Sequence, residues 1–128
     1  MKTVIYHAGC SDGFVAAYVA RSHGYHDAAF VPANYGDPAP DIEGHDVLIA
    51  DFSYPRKVLV EMNTRAARLR VFDHHKTAKE TCEGLPFCVF DMNRSGAGIT
   101  WDELARGKRP WLVDYVEDRD LWRWALPN

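Results

Sequence analysis

Short apolar runs alternate along the chain with longer segments that have the patterning of helices. Five runs rich in β-branched and aromatic residues predict strands, at Thr3–His7, Ala29–Pro32, Val47–Ala50, Leu69–Phe72 and Phe87–Phe90. The intervening segments predict helices that begin near Ser11 or Asp12, Pro55, Ser95 and Pro110. This order of elements predicts a single three-layer α/β domain, with a mainly parallel sheet of about five strands flanked by helices.

Side chains that commonly bind metals follow several of these apolar runs. They are His7, Cys10 and Asp12 after the first run, Asp51 after the third, Asp73, His74 and His75 at the end of the fourth, and Asp118 after a later one. In an open parallel sheet, ligands bind outside the carboxyl ends of the strands. We therefore expect these scattered residues to meet at one edge of the sheet and to form a polynuclear metal site.

A cluster of carboxylates and imidazoles is costly to assemble without cations. Mutual repulsion and burial would raise the pKa values of the carboxylates and weaken the fold. Two divalent ions about 3.5–4 Å apart would neutralise the cluster, with Asp51 as the natural bridging ligand. Oxygen ligands with some imidazole favour Mn²⁺, with Mg²⁺, Fe²⁺, Co²⁺ and Zn²⁺ as alternatives. The sequence thus predicts hydrolysis of a phosphate ester or anhydride by metal-activated water.

Two of the candidate ligands have alternative interpretations. A thiolate at Cys10 would favour a softer ion such as Zn²⁺ or Fe²⁺, but the residue could equally be a small, partly buried residue of the turn. Near the C-terminus we favour Asp118, because it directly follows the apolar segment Val113–Val116. Asp120 is then expected to pair with a neighbouring arginine at the surface.

The bulk composition limits the class of protein and of partner. A chain of 128 residues is expected to form one domain, spanning 1–128, that needs no disulfide or structural metal to fold. A formal charge of −3 gives no general attraction to nucleic acid, so a polyanion would have to be held locally. The three cysteines form no Cys-x-x-Cys pair, and we expect no secretory signal. The apolar runs are far shorter than a membrane helix, which needs about 20 residues. These features predict a cytoplasmic protein.

Four segments resemble, in the same order, the motifs of the DHH phosphoesterase superfamily. They are His7-x-x-Cys10-x-Asp12-Gly13, Asp51-Phe52-Ser53, Asp73-His74-His75 and the aspartate of Val116-Glu117-Asp118. That superfamily includes RecJ-type exonucleases, phosphodiesterases of nano-RNA and cyclic dinucleotides, exopolyphosphatases and family II pyrophosphatases. The resemblance covers nearly the whole chain and implies a metal-dependent phosphoesterase.

The resemblance also implies a role for each motif residue. One metal would be held by His7, the Cys10 position and Asp51, and the second by Asp12, Asp51, His74 and Asp118. As the catalytic residues, His75 would contact the scissile phosphate and Asp73 would orient the neighbouring imidazoles. The family usually has an aspartate where Cys10 stands. It also usually has a C-terminal substrate-binding domain, which we expect to be absent from 1–128.

Residues outside the motifs are candidates for substrate contact. Arg94, Ser95 and Gly96 could hold a phosphate with a guanidinium and helix N-terminal amides, or could form an ordinary helix cap. Lys76 and Thr77 could meet an anionic substrate or open a short helix. The expected substrate is a short oligonucleotide, a dinucleotide or another small phosphate compound. The alternative is a non-catalytic or partner-dependent metal-binding module derived from the same fold.

The tryptophans are candidates for contacts with other molecules. Tryptophan rings can stack on bases, but tryptophans near a C-terminal helix are more often core or interface residues. A homodimer or a partner chain could therefore be formed through the Trp-rich C-terminal segment. The four residues are Trp101, Trp111, Trp122 and Trp124.

Overall fold

The chain folds into one sheet with helices on both faces. The structure is a computed structural model that describes residues 1–123 and 125–126. The strands are β1 (Lys2–His7), β2 (Ala29–Ala33), β3 (Asp46–Ala50), β4 (Arg68–Asp73) and β5 (Cys88–Phe90). The α-helices are α1 (Ser11–Ser22), α2 (Arg56–Arg65), α3 (Lys79–Cys82), α4 (Gly96–Leu104) and α5 (Trp111–Asp120), and a 3₁₀ turn covers Lys76–Ala78.

The strands pair in parallel in the order β2-β1-β3-β4-β5. The predicted α/β class and five-stranded sheet are confirmed, and every pairing between the described strands is parallel. The chain runs outward from β1 to β2 on one side, and then from β3 to β5 on the other. The order reverses between β1 and β3, which is where an open α/β sheet leaves a crevice at the carboxyl ends of its strands.

Alternation of side chains along the buried strands produces two apolar layers. Val4 and Leu48 pack on the face covered by α1, α4 and α5. Their neighbours Ile5 and Ile49 pack on the opposite face, against Leu59 of α2. Because both faces of the sheet are covered, the central strands are continuously apolar, as expected for a parallel sheet.

The helix boundaries differ from the predicted ones at the position that concerns the site. The first helix begins at Ser11, with Cys10 as its N-cap, whereas Ser11 or Asp12 was expected to cap it. The Cys10 Sγ accepts a hydrogen bond from the backbone amide of Gly13 at 3.5 Å. Asp12 therefore lies inside the first turn, and its carboxylate is available to other partners.

None of the helices in the described part of the chain has the length and apolar character needed to cross a membrane.

Candidate metal centre

Two groups of ligand atoms meet at the carboxyl ends of β1, β3 and β4. One group consists of His7, Asp51 and His75, and the other of Asp12, Asp51 and His74. Within each group, one ligand atom per residue lies within 4.8 Å of the others. Asp51 belongs to both groups and is 0% exposed. The residues that the sequence scatters over three strand ends are thus brought together around one buried carboxylate.

The backbone at Asp51 is unusual and directs its side chain into the cluster. Asp51 has a φ of 61°, in the left-handed region that few residues other than glycine and asparagine or aspartate adopt. Its amide still donates to the Phe72 carbonyl at 2.8 Å, so the β3–β4 ladder continues up to the bend. Gly96 packs directly against it, because a Cβ atom at Gly96 would lie 2.5 Å from the Asp51 Cβ. Strained backbone of this kind is concentrated at functional sites.

The N-terminus of α4 holds Asp12. The amide of Gly96 donates to Asp12 Oδ2 at 2.9 Å, and the amide of Ala97 donates to Oδ1 at 2.8 Å. Unpaired amides and the positive end of the helix dipole both favour a carboxylate at this place. These bonds fix the orientation of Asp12 before any ligand binds.

His74 lies between carboxylates. Its Nε2 is 2.9 Å from Asp51 Oδ1, 3.1 Å from Asp12 Oδ2 and 3.4 Å from Asp120 Oδ2. Burial opposes protonation, but the hydrogen bonds to Asp12 and Asp51 outweigh it and raise the pKa of His74 to about 10. Burial is also the main reason that the pKa of Asp12 rises to about 6. In the metal-free protein, the imidazolium of His74 therefore supplies positive charge that the acidic cluster requires.

The ring of His75 is oriented by a hydrogen bond to Asp73. Its Nδ1 lies 2.7 Å from Asp73 Oδ1, and this hydrogen bond is the main reason that the pKa of His75 is raised. The other oxygen of Asp73 accepts a hydrogen bond from Ser53 Oγ at 2.9 Å. With Nδ1 engaged, Nε2 of His75 points towards the cluster, 3.9 Å from Asp51 Oδ1. Asp73 thus fixes the orientation of the His75 ring, and its part in catalysis stays a prediction.

The donor atoms are buried imidazole nitrogens and carboxylate oxygens, which suit a divalent cation. His7 Nδ1 is buried and has no hydrogen-bond partner among the described residues, although it lies 3.7 Å from Asp51 Oδ2. A buried imidazole nitrogen without a partner is unfavourable unless it binds another group. Although burial opposes it, the imidazoles of His7 and His74 lower the pKa of Asp51, so that carboxylate is charged. Imidazole and carboxylate ligands together suit Mn²⁺, Fe²⁺ or Zn²⁺.

Cys10 lies beside the centre as a thiol. Its Sγ donates to Asp51 Oδ2 at 3.4 Å, and the residue belongs to neither ligand group. Burial, followed by the charges of Asp51 and Asp12, raises the pKa of Cys10 to about 11. The structure therefore favours the interpretation of Cys10 as a partly buried residue of the turn, and adds that it caps α1. A role as ligand would require loss of the thiol proton.

The choice between the two C-terminal aspartates is corrected by the structure. Asp118 accepts hydrogen bonds from the amides of Ala125 and Leu126, at 2.7 and 3.2 Å, and pairs with Arg119. Asp120 is the residue that faces His74. Two residues along a helix correspond to a rotation of about 200°, so only one of the two aspartates can point to the cluster. Chain order relative to the apolar segment could not show which one does.

The expected phosphate contacts at the start of α4 are also occupied internally. Arg94 donates to Asp91 at 2.8 Å and to Asp102 at 3.1 Å. Ser95 caps α4 by accepting the Gly98 amide, and the Gly96 amide is bonded to Asp12. The phosphate-binding role predicted for Arg94, Ser95 and Gly96 is therefore replaced by a structural one, in which the anion at this helix N-terminus is the protein's own carboxylate.

Two residues near the site have no signal in the sequence. Tyr35 comes from the irregular loop after β2, and its ring lies 5.5 Å from that of His7. Glu117 accepts the Ser95 amide at 2.8 Å and pairs with Arg109 at 2.6 Å, which anchors the N-terminus of α4. A tyrosine in a loop and a glutamate in a helix are common surface residues, so only the fold reveals their positions.

The tryptophans divide between packed and exposed positions. Trp101 donates to the Gly107 carbonyl at 2.9 Å and contacts the ring of His23, so it is a structural residue. Trp111 is exposed and stacks on Tyr115. Trp122 is 77% exposed, and Trp124 lies outside the described residues.

Comparisons with known proteins establish the fold but no function. No protein-family model matches the chain. The chain is 29% identical, over 147 residues, to the uncharacterized protein R106 of Acanthamoeba polyphaga mimivirus, in an alignment that covers 100% of the chain and 35% of that protein. The crystal structure of an uncharacterized protein from Helicobacter pylori G27 has a TM-score of 0.77 and 18% identity, and the match covers 98% of this chain and 45% of that one. The chain thus spans less than half the length of these proteins.

Proposed function

We propose that the chain is the catalytic domain of a metal-dependent phosphoesterase of the DHH type. The observation that carries this proposal is the position of Asp51, which is fully buried and shared between two groups of ligand atoms. A carboxylate in this position suits a bridge between two divalent ions, with Mn²⁺ as the first expectation. When bound, such ions would supply Lewis-acid stabilisation of a phosphate and an activated water.

Under this proposal, the residues of the chain divide into holding and substrate-contacting groups. His7, Asp51 and Asp12 would hold metal together with His74 and Asp120. His75 lies in the same group as His7 and Asp51, but we assign it to the scissile phosphate, because its side chain is 30% exposed whereas that of His74 is 6% exposed. Asp73 would keep the proton on Nδ1 of His75 and, by its charge, support a second proton on Nε2 that can be donated to a phosphate oxygen.

The substrate class is a phosphodiester or phosphoanhydride of small size. The net charge of −3 does not support a long duplex bound along a basic channel. A short oligonucleotide or a dinucleotide could instead be held mainly by its reacting phosphate. All three cysteines are unpaired, which supports a reducing, cytoplasmic location.

Turnover of a substrate panel tests the proposal. With Mn²⁺, the purified chain should hydrolyse at least one of dinucleotides, cyclic dinucleotides, single-stranded DNA, polyphosphate and pyrophosphate. His75→Gln should retain metal binding at the group of Asp12, Asp51 and His74. It should lower kcat by about 100-fold or more, because it removes a charged donor from the phosphate. Full metal loading without turnover of any substrate would reject the catalytic proposal for the isolated chain.

A partner-dependent activity is the second candidate. It is favoured by the lengths of the similar proteins, since the chain spans 35% of the viral one and 45% of the bacterial one. Trp111 and Leu112 at the start of α5, and Trp122 after its end, are exposed apolar side chains that another polypeptide, or a second copy, could cover. Activity that emerges only when the chain is joined to further sequence would support this alternative.

A further inference from the structure

A pocket of about 500 Å³ lies next to the metal centre. It is formed by the loop at residues 35–39, by residues 52–55 before α2, by Val58 within α2, and by residues 77, 78 and 81. Pockets that bind small molecules typically have volumes of about 300–1,000 Å³, and this pocket lies within that range. None of the residues in the two ligand groups lines it. The pocket is therefore a separate feature that the proposed chemistry leaves unused.

The walls of this pocket are connected to the catalytic residues. Ser53 lines the pocket and donates its hydroxyl hydrogen to Asp73. Tyr35 also lines it, and its hydroxyl lies 3.5 Å from Nδ1 of His75. The centroid of the Tyr35 ring lies 5.5 Å from that of His7 and 6.4 Å from that of His75. A phosphate in contact with Nε2 of His75 would thus have its neighbouring substituent within reach of Tyr35, which lines the pocket.

The lining indicates the chemistry of that substituent. Tyr35 is 55% exposed, and its ring packs against Phe52 with 4.9 Å between ring centroids. Phe52 in turn packs against Tyr54 with 5.1 Å between ring centroids, and these two buried rings also line the pocket. Among the described lining residues none is basic, and Asp37 is acidic. A second phosphate would be repelled here, whereas an uncharged planar ring could stack on Tyr35.

We propose that this pocket binds the nucleobase next to the reacting phosphate, so that the substrate is a nucleotide ester and not a base-free phosphoanhydride. The inference rests on the proposed phosphoesterase function, which it makes more specific. Stacking of one base on an aromatic side chain typically changes affinity by about 5- to 150-fold. Tyr35 would then be a specificity-determining residue.

Ligand binding followed by NMR tests the pocket without any need for turnover. The ¹⁵N-labelled chain is titrated, in the presence of Mg²⁺, with adenosine 5′-monophosphate and with ribose 5-phosphate, which lacks the base. Adenosine 5′-monophosphate should shift the amides of Gly36, Ala78 and Thr81, and ribose 5-phosphate should not. Equal binding and equal shifts with the two compounds would overturn the proposal.

Matched variants of Tyr35 identify the stacking contact. Tyr35→Ala should weaken binding of adenosine 5′-monophosphate by about 5- to 150-fold and leave binding of ribose 5-phosphate unchanged. Tyr35→Phe, which retains the ring, should bind like the wild type. Tyr18→Ala serves as the control, because Tyr18 is an exposed aromatic residue that does not line this pocket. Unchanged affinity in Tyr35→Ala would contradict the assigned role.

The two proposals fail in different ways. Base-dependent binding that requires Tyr35, in a chain that hydrolyses nothing, would reject the catalytic function and leave the pocket assignment standing. Efficient hydrolysis of pyrophosphate or polyphosphate, with no base-dependent binding, would reject the pocket assignment and leave the phosphoesterase standing.

Discussion

Replacement of Asp51 by asparagine is the most direct test of the metal centre. The change removes the charge that both ligand groups share, but retains the size of the side chain. Asparagine also tolerates the left-handed backbone, with its φ of 61°, better than alanine does. Asp51→Asn therefore separates the loss of a ligand from the loss of local structure. We expect it to abolish metal binding at both groups and, with it, any hydrolysis.

The expected rise in Tm on metal binding follows from the linkage between metal binding and folding. At a free metal concentration of 100 times Kd, one bound ion stabilises the folded state by about 2.7 kcal/mol. For a domain of this size, about 1 kcal/mol shifts Tm by about 3–5 °C. Saturation of one site in the wild-type chain should thus raise Tm by about 8–13 °C. In Asp51→Asn the rise should be below about 2 °C, because no complete ligand group is left.

Thermal unfolding with and without Mn²⁺ provides the measurement, with a chelator present in the metal-free samples. Asp27→Asn is the matched control, because Asp27 is exposed and is in neither ligand group. This control should show the wild-type response to metal. A metal-induced rise of wild-type size in Asp51→Asn would refute the reasoning that Asp51 joins two sites. No rise in the wild-type chain would refute the metal centre itself.

Three further predictions concern neighbouring residues. Asp120→Asn should weaken Mn²⁺ binding by about 10-fold or more, and Asp118→Asn should leave it nearly unchanged, as measured by titration calorimetry; the reverse order would contradict the placement of Asp120 beside His74. Because the pKa of His74 is raised to about 10, metal must displace its proton, so affinity should fall by up to about tenfold per unit as pH decreases from about 9 to about 7. Calorimetry in buffers of different protonation enthalpy would detect the released proton, and a pH-independent affinity would contradict this assignment. Gly96→Ala should destabilise the fold by about 1–3 kcal/mol in chemical unfolding and weaken metal binding, because its Cβ would lie 2.5 Å from that of Asp51. Gly107→Ala, which has open space around its Cβ position, is the control, and equal behaviour of the two variants would count against this close contact.

Much of the fold follows from local patterns in the sequence. The five strands were predicted within a few residues of their observed bounds, because each is a short apolar run between turn residues. A parallel sheet was predicted because helices alternate with these strands. The cluster around Asp51 followed from the same reasoning, since parallel strands place their carboxyl ends along one edge. These features depend on periodicity and chain order, both of which can be seen in a single sequence.

Other features depend on contacts between distant segments. The Gly96 and Ala97 amides bond to Asp12, 84 and 85 residues away along the chain, so the expected phosphate site is occupied by the protein's own carboxylate. The choice of Asp120 over Asp118 depends on the rotation of α5 about its axis, which is set by packing of the helix against α1 and α4. Tyr35 reaches His7 and His75 from a loop without periodicity.

What the sequence predicts differs from what only the folded structure shows for a physical reason. Residue type and local order decide which chemical groups are present and which strand end carries each one, so the sequence already indicates a buried acidic and imidazole cluster. The direction of each side chain, the partner of each amide and the burial of each charge depend on how distant elements pack. For this reason the sequence predicts that Asp51, His74 and His75 meet at one edge of the sheet. Only the folded chain shows that His74 lies between carboxylates, while the more exposed His75 is bonded to Asp73 and has its Nε2 near Asp51.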